Sequence, residues 1–245
     1  MQQESTAFLR FVSKWERSTL GPFRCGRFRL SERDCWLLTS GMGVKRATQA
    51  ARALLTATNP QLLVSVGVAG AVHADLEIGD VVAARHTCLL DKGIPGQFQP
   101  LALLSDAAWQ AAAKALQPRR AGLYWGTAVT TRGSQVVQTQ PGQMTNPVLE
   151  METAGIARVA AEAGIPLLSL RAVSDGPRAP IPFDLEALMD EQDNLRIGEI
   201  IKTVIGHPQM ILQFLQMGRN IRRAAENAAI ALIAALRQPD SVISP

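Results

Sequence analysis

The chain has 245 residues, of which 47% are apolar and 19% charged, and its formal net charge is +4. This length suffices for one large domain with a full core, whereas the modest charge gives little support for nucleic-acid binding. No apolar run reaches the length of a membrane span and the N-terminus lacks a signal-peptide pattern, so we expect a cytoplasmic protein.

The N-terminal part predicts a helix, a hairpin and a second helix. Apolar side chains recur at helical spacing over residues 4–16. Segments 24–30 and 34–39 follow as an antiparallel pair of strands, and the turn Ser40-Gly41-Met42-Gly43 leads into a helix over 44–56. A glycine turn before a helix N-terminus can hold an anion, although it more often serves close packing.

A continuously apolar run over 61–67 predicts a strand that is covered on both faces. The segment Gly67-Val68-Ala69-Gly70 has the small residues that a close ligand or a neighbouring backbone requires. Further strands are predicted over 80–90 and 122–130, with a helix over 106–116 between them.

A strand end, a helix over 152–163 and a buried strand over 167–173 then follow one another. Acids stand where these strands meet the next element, with Glu150 and Glu152 at one end and Asp175 at the other. Ligands bind outside the carboxyl ends of strands in an open α/β sheet, so these acids can converge on one small molecule. Alternatively, the glutamates only open a helix and Asp175 caps a turn.

The C-terminal part begins with three prolines between residues 177 and 182, which predict an extended linker. Three or four helical segments follow, the last from about residue 210 to 237. We therefore predict an α/β domain over 1–180 and a helical extension over 181–245 that packs on it. The last segment carries arginines beside an apolar side, and it is predicted either to pack on the protein or an oligomer partner, or to meet anionic lipid.

Five motifs stand in a fixed order: LLTSGMG at 37–43, VSVGVAGAV at 64–72, LEIGDVV at 76–82, EMETAG at 150–155 and VSD at 173–175. In order and spacing they resemble the nucleoside phosphorylase superfamily, which includes purine nucleoside phosphorylases and methylthioadenosine/S-adenosylhomocysteine nucleosidases. The resemblance covers roughly residues 1–180. It implies an α/β fold, a three-layer α/β/α sandwich around a mixed twisted sheet, with a helical C-terminal extension.

The resemblance also implies cleavage of a purine N-glycosidic bond through an oxocarbenium-like transition state. It assigns Asp175 to the purine N7 as a proton donor, which requires a carboxyl kept protonated by burial. Ser174 would orient Asp175, and Glu152 would bind the ribose hydroxyls as an ionised acceptor. Met151 would lie against the sugar, unless it only fills the core.

Two further residues would serve the nucleophile. Arg171 matches the position that helps to hold the water in nucleosidases, or else it is a buried partner of Glu150 or Glu152. Glu4 is the candidate base for water activation. Relatives begin with an apolar strand before a Met-x-x-Glu helix start, whereas this chain begins at Met1. A missing central strand would leave ladder groups unpaired beside the site.

The glycine-rich loop bears on the choice of nucleophile. Phosphorylases of the superfamily have an arginine at the position of Ser65 and a serine at that of Val68, and both hold phosphate. A valine cannot supply the charge-assisted bond that phosphate needs, which favours water. Phosphate binding through Lys45, Arg46 or Arg85 is the alternative.

The remaining site residues implied by the resemblance border the ligand. Val68 and Gly70 lie in the loop that approaches it, and Val129 and Thr130 occupy positions that contact the purine in relatives. No metal or cofactor is implied, and a homo-oligomer is expected.

We therefore predict a purine nucleosidase that releases adenine from methylthioadenosine, adenosylhomocysteine or an adenosyl-lipid such as adenosylhopane. The lipid is included because the tail, with Gly206-His207-Pro208, resembles the hopanoid-associated branch of the superfamily. The alternatives are a phosphate-dependent phosphorylase and a non-catalytic nucleoside-binding module of the same fold.

Overall fold

The computed structural model describes residues 2–12, 14–131, 144–180, 211–239 and 241–244. Five α-helices and ten strands lie in these ranges. In chain order they are α1 (Gln2–Leu9), β1 (Trp15–Leu20), β2 (Phe23–Leu30), β3 (Arg33–Thr39), α2 (Val44–Ala57), β4 (Leu63–Ala71), β5 (Val81–Asp91), β6 (Ile94–Pro95), β7 (Gln99–Pro100), α3 (Asp106–Leu116), β8 (Leu123–Thr130), β9 (Pro147–Glu150), α4 (Thr153–Glu162), β10 (Leu167–Asp175) and α5 (Ile211–Leu236).

Two sheets organise these strands. The smaller is an antiparallel sheet in the order β1-β2-β3. The larger is mixed and runs β10-β4-β9-β8-β5-β6, with β7 beside β5. Because β10 also pairs with β5, the sheet closes into a ring of five strands: β10, β4, β9, β8 and β5.

Helices cover the larger sheet on both sides. A core formed by α1, α3 and α5 lies against β10 and β5, with Phe8, Leu116, Leu170 and Leu232 among its buried residues. A second core lies under α2 and α4, where Ala157 is buried. The predicted three-layer sandwich around a mixed sheet is therefore confirmed.

The C-terminal helix α5 packs closely on the sheet because its buried face is built from small residues. Its members include Ala224, Ala228, Ala231 and Ala235, which are at most 1% exposed. Small side chains let a helix axis approach a strand closely, so α5 contacts both α3 and β10. The predicted boundary between 1–180 and 181–245 stays a prediction, since 181–210 and the tail with Gly206-His207-Pro208 lie outside the described residues. Within the described chain, none of the helices combines the length and apolar character that crossing a bilayer demands.

The prediction of one helix over residues 4–16 is wrong beyond Leu9. The helix ends in a turn, and Trp15 begins β1 opposite Phe28. The Trp15 ring covers Gly26 of β2 so closely that a Cβ added there would lie 2.9 Å from it. Cross-strand packing of this aromatic ring overrides the helical spacing.

One edge of β4 is open. Leu63 N–H donates to Pro166 O (3.0 Å) on the β10 side, and alternation turns the backbone groups of Val64, Val66 and Val68 to the other edge. There, β9 pairs only with Gly70 and Ala71. Val68 N–H donates to Glu4 Oε1 (3.0 Å), while Val64 and Val66 have no backbone partner on this edge among the described residues. Among the described residues, this edge of β4 therefore carries unpaired ladder groups beside the cavity.

Candidate active site

A cavity of about 1560 Å³ lies between the small sheet, β4 and α5. It begins at the carboxyl ends of β4 and β10. Nine of the predicted site residues line it: Glu4, Val68, Gly70, Glu150, Met151, Glu152, Arg171, Ser174 and Asp175. The acids of the two strand ends therefore face one common space, as predicted.

The other two predicted residues do not line this cavity. Val129 is fully buried in a small core with Cys88 and Leu90. Thr130 is also fully buried, and its hydroxyl donates to Glu150 and accepts from Ala154 N–H (2.9 Å). Both side chains therefore lie outside the cavity, because the register of β8 turns them inward, and contact of these positions with a purine stays a prediction. The cavity is reached one residue later, by Thr131.

Glu150 and Arg171 form a buried anchor. Arg171 Nη2 lies 2.6 Å from Glu150 Oε2, and their side chains are 4% and 0% exposed. The remaining capacity of Glu150 is taken by Thr153, whose N–H and hydroxyl both donate to Oε2 at 2.8 and 2.7 Å, and by Thr130. An ion pair without water needs such complete bonding to be tolerated. Glu150 thus shapes the start of α4 and has no lone pair left for a ligand.

Glu152 is held at the cavity wall by two groups. Gly43 N–H donates to its Oε1 (3.1 Å), and Arg171 Nη1 lies 3.5 Å from its Oε2. Gly43 has φ +90°, a conformation that frees its N–H to point away from the start of α2. The anion at this helix N-terminus is therefore the protein's own carboxylate. Burial raises the pKa of Glu152, while the charge of Arg171 opposes that rise.

Asp175 stands at a bulge in β10. The register with β4 shifts between Val173 and Asp175, so Ser174 is the extra residue of the bulged strand. Ser174 Oγ donates to Asp175 Oδ1 (2.6 Å), and a Cβ on Gly70 would lie 2.6 Å from Oδ2. Glycine at position 70 therefore makes room for the carboxyl. Burial raises the pKa of Asp175, and the Ser174 hydrogen bond partly offsets this effect.

Glu4 reaches the cavity from the start of α1. Besides accepting from Val68 N–H, its Oε1 lies 2.6 Å from the place where a Cβ on Gly67 would stand. Arg171 Nη1 lies 2.5 Å from the same point. The absence of a side chain at Gly67 thus lets a carboxylate and a guanidinium meet over β4, beside the acids of β9 and β10.

The cations predicted as alternative phosphate-binding residues lie outside the cavity. Of Lys45, Arg46 and Arg85, none lines the cavity, and the Arg85 guanidinium lies over the Trp125 ring (4.8 Å). Ser65, at the position of the phosphate-binding arginine in phosphorylases, accepts from Arg171 Nη2 (2.8 Å). Within the described part of the chain, the acids therefore have Arg171 as their cation, and it is shared between two carboxylates.

Sequence reasoning missed three kinds of contributor. Thr153 lies inside a recognised motif, but its role in binding Glu150 depends on how α4 starts. Ser65 was interpreted only as the position where phosphorylases have an arginine, and its hydrogen bond with Arg171 was not predicted. The apolar far end of the cavity was not predicted, because it depends on the rotation of α5; Phe28, Leu37, Ile221, Ala225 and Ala229 line it.

The fold and the acids at its strand ends define an α/β scaffold with a carboxylate-lined cavity, and comparison with known proteins identifies its family. The model of the phosphorylase superfamily matches residues 6–206. The chain belongs to this superfamily.

Two curated relatives are 5′-methylthioadenosine/S-adenosylhomocysteine nucleosidases. The protein of Haemophilus influenzae (strain PittEE) is 28% identical over 172 residues, which is 64% of this chain and 75% of the relative. The protein of Tolumonas auensis is 28% identical over 204 residues, which is 75% of this chain and 87% of the relative.

Solved structures share the fold. The Neisseria meningitidis 5′-methylthioadenosine/S-adenosylhomocysteine nucleosidase in complex with methylthio-immucillin-A has a TM-score of 0.66 at 20% identity, over 97% of this chain and 95% of that one. Futalosine hydrolase of Helicobacter pylori has a TM-score of 0.64 at 20% identity, over 96% of this chain and 93% of that one.

Proposed function

We propose that this protein is a nucleosidase that hydrolyses the N-glycosidic bond of an adenosyl-type nucleoside and releases adenine. The observation that carries the proposal is that the half-buried carboxyl of Asp175 and the Glu152–Arg171 pair line the same cavity. The curated relatives are nucleosidases of this substrate class, which supports the same reading.

Asp175 is the general acid for the departing base in this proposal. The leaving purine gains negative charge as the bond breaks, so a proton donor lowers the barrier. Burial raises the pKa of Asp175, which keeps the donor form available at higher pH than for an exposed aspartate. Ser174 holds the carboxyl in place through its 2.6 Å hydrogen bond.

Glu152 binds the ribose hydroxyls and stabilises the positive charge that develops on the sugar. Arg171 favours its ionised form. Met151 supplies an apolar surface beside it. Glu4 accepts a proton from the attacking water, since its carboxylate is fixed over Gly67 next to Arg171.

Water is the proposed nucleophile because, among the described residues, the cation beside these acids is Arg171, which already pairs with Glu150 and Glu152. Arg171 would have to leave both glutamates to bind a second anion, and this would leave the buried Glu150 and the half-buried Glu152 without their cation. A phosphorylase would instead need a cation that faces the cavity beside these acids.

The decisive experiment measures free adenine by mass spectrometry after incubation with methylthioadenosine, adenosylhomocysteine and adenosine, each with and without phosphate. Adenine should be released at the same rate in both conditions. Release only with phosphate would show a phosphorylase. Bound adenine without turnover of any compound would show a nucleoside-binding module.

We further propose that the 5′ substituent of the natural substrate is large and apolar, as in an adenosyl-lipid. The cavity exceeds the roughly 300–1,000 Å³ of ordinary ligand pockets, and side chains of α5 such as Ile221 and Ala229 make its far end apolar. Adenosine derivatives with 5′-alkylthio chains of increasing length test this idea. A kcat/KM that rises with chain length supports it, whereas a fall beyond the methylthio compound contradicts it.

A lipid-linked substrate would be presented at a membrane surface, and the start of α5 suits such a surface. Leu212 and Leu215 are 76% and 53% exposed, and Arg219 and Arg222 follow them. We propose that a cytoplasmic homo-oligomer touches anionic lipid through this segment. Sedimentation with phosphatidylcholine vesicles, with and without phosphatidylglycerol, should show binding only to the anionic ones. A double change of Leu212 and Leu215 to serine should abolish it, while Phe11→Ser, another exposed apolar position, should not.

A further inference from the structure

One polar side chain of α5 is completely buried and faces a turn that the chemistry above does not use. Asn227 is 0% exposed. Its Nδ2 donates to Gly79 O (2.7 Å), and its Oδ1 accepts from Arg119 Nε (2.9 Å). A buried amide bonded on both sides is costly to build and fixes the relative position of the elements that it joins.

The turn that Asn227 holds has little freedom of its own. Gly79 has φ +97°, and a Cβ there would lie 2.9 Å from Asn227 Nδ2. Asp80, next in the chain, accepts from Glu77 N–H (2.8 Å) and from Gly122 N–H (2.7 Å). The turn is therefore tied to α5 on one side and to the start of β8 on the other.

The same turn forms backbone hydrogen bonds with β10 directly before its bulge. Gly79 N–H donates to Val173 O, and Val173 N–H donates to Asp80 O, both at 2.8 Å. The register shift that turns Asp175 toward the cavity begins at Val173. Bulges re-aim side chains at active sites, so whatever fixes the residue before the bulge also fixes the direction of the next carboxyl.

We propose that Asn227 is a positioning residue for Asp175: it fixes the Gly79–Asp80 turn, and the turn fixes the bulged end of β10. Three hydrogen bonds, one from Asn227 to Gly79 and two between the turn and Val173, connect the helix to the residue directly before the bulge. This inference rests on the proposed function for its catalytic consequence, but its structural part concerns Asp175 alone.

The charged and titratable groups near Asp175 come from several elements. Those that line the cavity and the small pocket beside it are Glu4, Arg27, Glu32, Arg33, Asp34, Cys35, His73, Glu77, Glu150, Glu152, Arg171, Arg178 and Arg223. None forms an ion pair with Asp175 among the described residues; its carboxyl interacts instead with Ser174. Loosening the bulge would admit water and weaken burial, so the pKa of Asp175 should fall toward its ordinary range.

The test compares Asn227→Ala and Asn227→Asp with the wild type. Asn227→Asp keeps the size and the acceptor toward Arg119 but removes the N–H toward Gly79. Asn220→Ala is the matched control, since Asn220 lies on the same helix and bonds only to Gln216 (3.0 Å) at the surface. Two readouts are taken: the pH profile of kcat with the best substrate of the panel, and the pKa of Asp175 by ¹³C NMR titration of its carboxyl.

Both Asn227 variants should lose about 10- to 100-fold in kcat, the range for a displaced catalytic group, with KM little changed. The alkaline limb of the profile and the NMR titration of Asp175 should both move to lower pH, and Asn220→Ala should move neither. An unmoved Asp175 in folded variants, or loss of the fold in both, would show a structural role and overturn the inference. If the wild type releases no base, the proposed function fails, while the NMR titration still decides the role of Asn227.

Discussion

At the cavity end next to β4 and β10, the carboxylates of Glu150 and Glu152 and the carboxyl of Asp175 have hydrogen-bond or cationic partners. At the end next to α5, apolar side chains such as Ile221 and Ala229 line the wall, and among the described residues one edge of β4 is open. The first end suits fixed chemistry, because preorganised groups need not rearrange during the reaction. The second end has few directional contacts and suits recognition by size. Reaction type and substrate choice are therefore separable in this protein, and mutations should affect one without the other.

The largest effect is expected for Asp175→Asn. Loss of a general acid costs about 10²- to 10⁴-fold in rate, and the asparagine preserves shape. Steady-state kcat with methylthioadenosine measures it, with Asp91→Asn at an exposed position as the control. Activity within a few-fold of the wild type would remove Asp175 from the mechanism.

Arg171→Met should produce the largest loss of stability. It leaves Glu150 buried without its cation, which costs about 3–5 kcal/mol in the free energy of unfolding. The control Arg52→Met removes an exposed pair with Glu162 (3.3 Å), which is worth about 1 kcal/mol or less. Urea unfolding compares the two variants. Equal losses would mean that the buried anchor does not stabilise the acid end.

The pH dependence of activity should be bell-shaped. The proposed mechanism needs Glu152 ionised and Asp175 protonated. Burial raises the pKa of Glu152, so activity is lost as pH falls through that value. Asp175 must be protonated, and burial raises its pKa too, so activity is lost as pH rises through it. In Asp175→Asn, the residual activity should lack the alkaline limb. A limb that persists in this variant would belong to another group.

The contribution of Asp175 to the free energy of unfolding should also decrease as pH rises, as its activity does. A raised pKa means that folding favours the protonated carboxyl, and this contribution is lost as pH rises through the folded pKa. Asp175→Asn has no such loss, so its melting temperature relative to the wild type should increase with pH. Differential scanning fluorimetry across pH measures the difference; a constant gap would indicate a carboxyl that folding does not perturb.

The smallest effect concerns the apolar end. Ala225→Phe and Ala229→Phe should fill space beside α5 and lower kcat/KM about 10-fold for an adenosine with a long 5′-alkylthio chain. Methylthioadenosine should be cleaved nearly as before. Gln213→Phe, on the exposed side of the same helix, is the control. Equal losses for both substrates would show that the two ends are not independent.

Periodicity and turn residues predicted most of the sheet and the helices around it, because buried strands and amphipathic helices leave direct sequence patterns. The N-terminal helix was overextended since Trp15 fits a helical face as well as a strand. Thr130 was misplaced because one residue of register decides whether a side chain meets the core or the cavity. The acid end could be predicted from motifs, whereas the apolar end could not, since it depends on which side α5 turns toward β4.

Within the described parts of the chain, one edge of β4 is open, and this would limit how the proposed apolar substituent binds. The peptide groups of Val64 and Val66 need hydration whenever no strand adjoins them. Water should therefore hydrate the β4 side of the cavity, even when a hydrocarbon chain is bound on the α5 side. Such a ligand would stay partly exposed to solvent. It could then bind and dissociate without desolvating the peptide groups of Val64 and Val66.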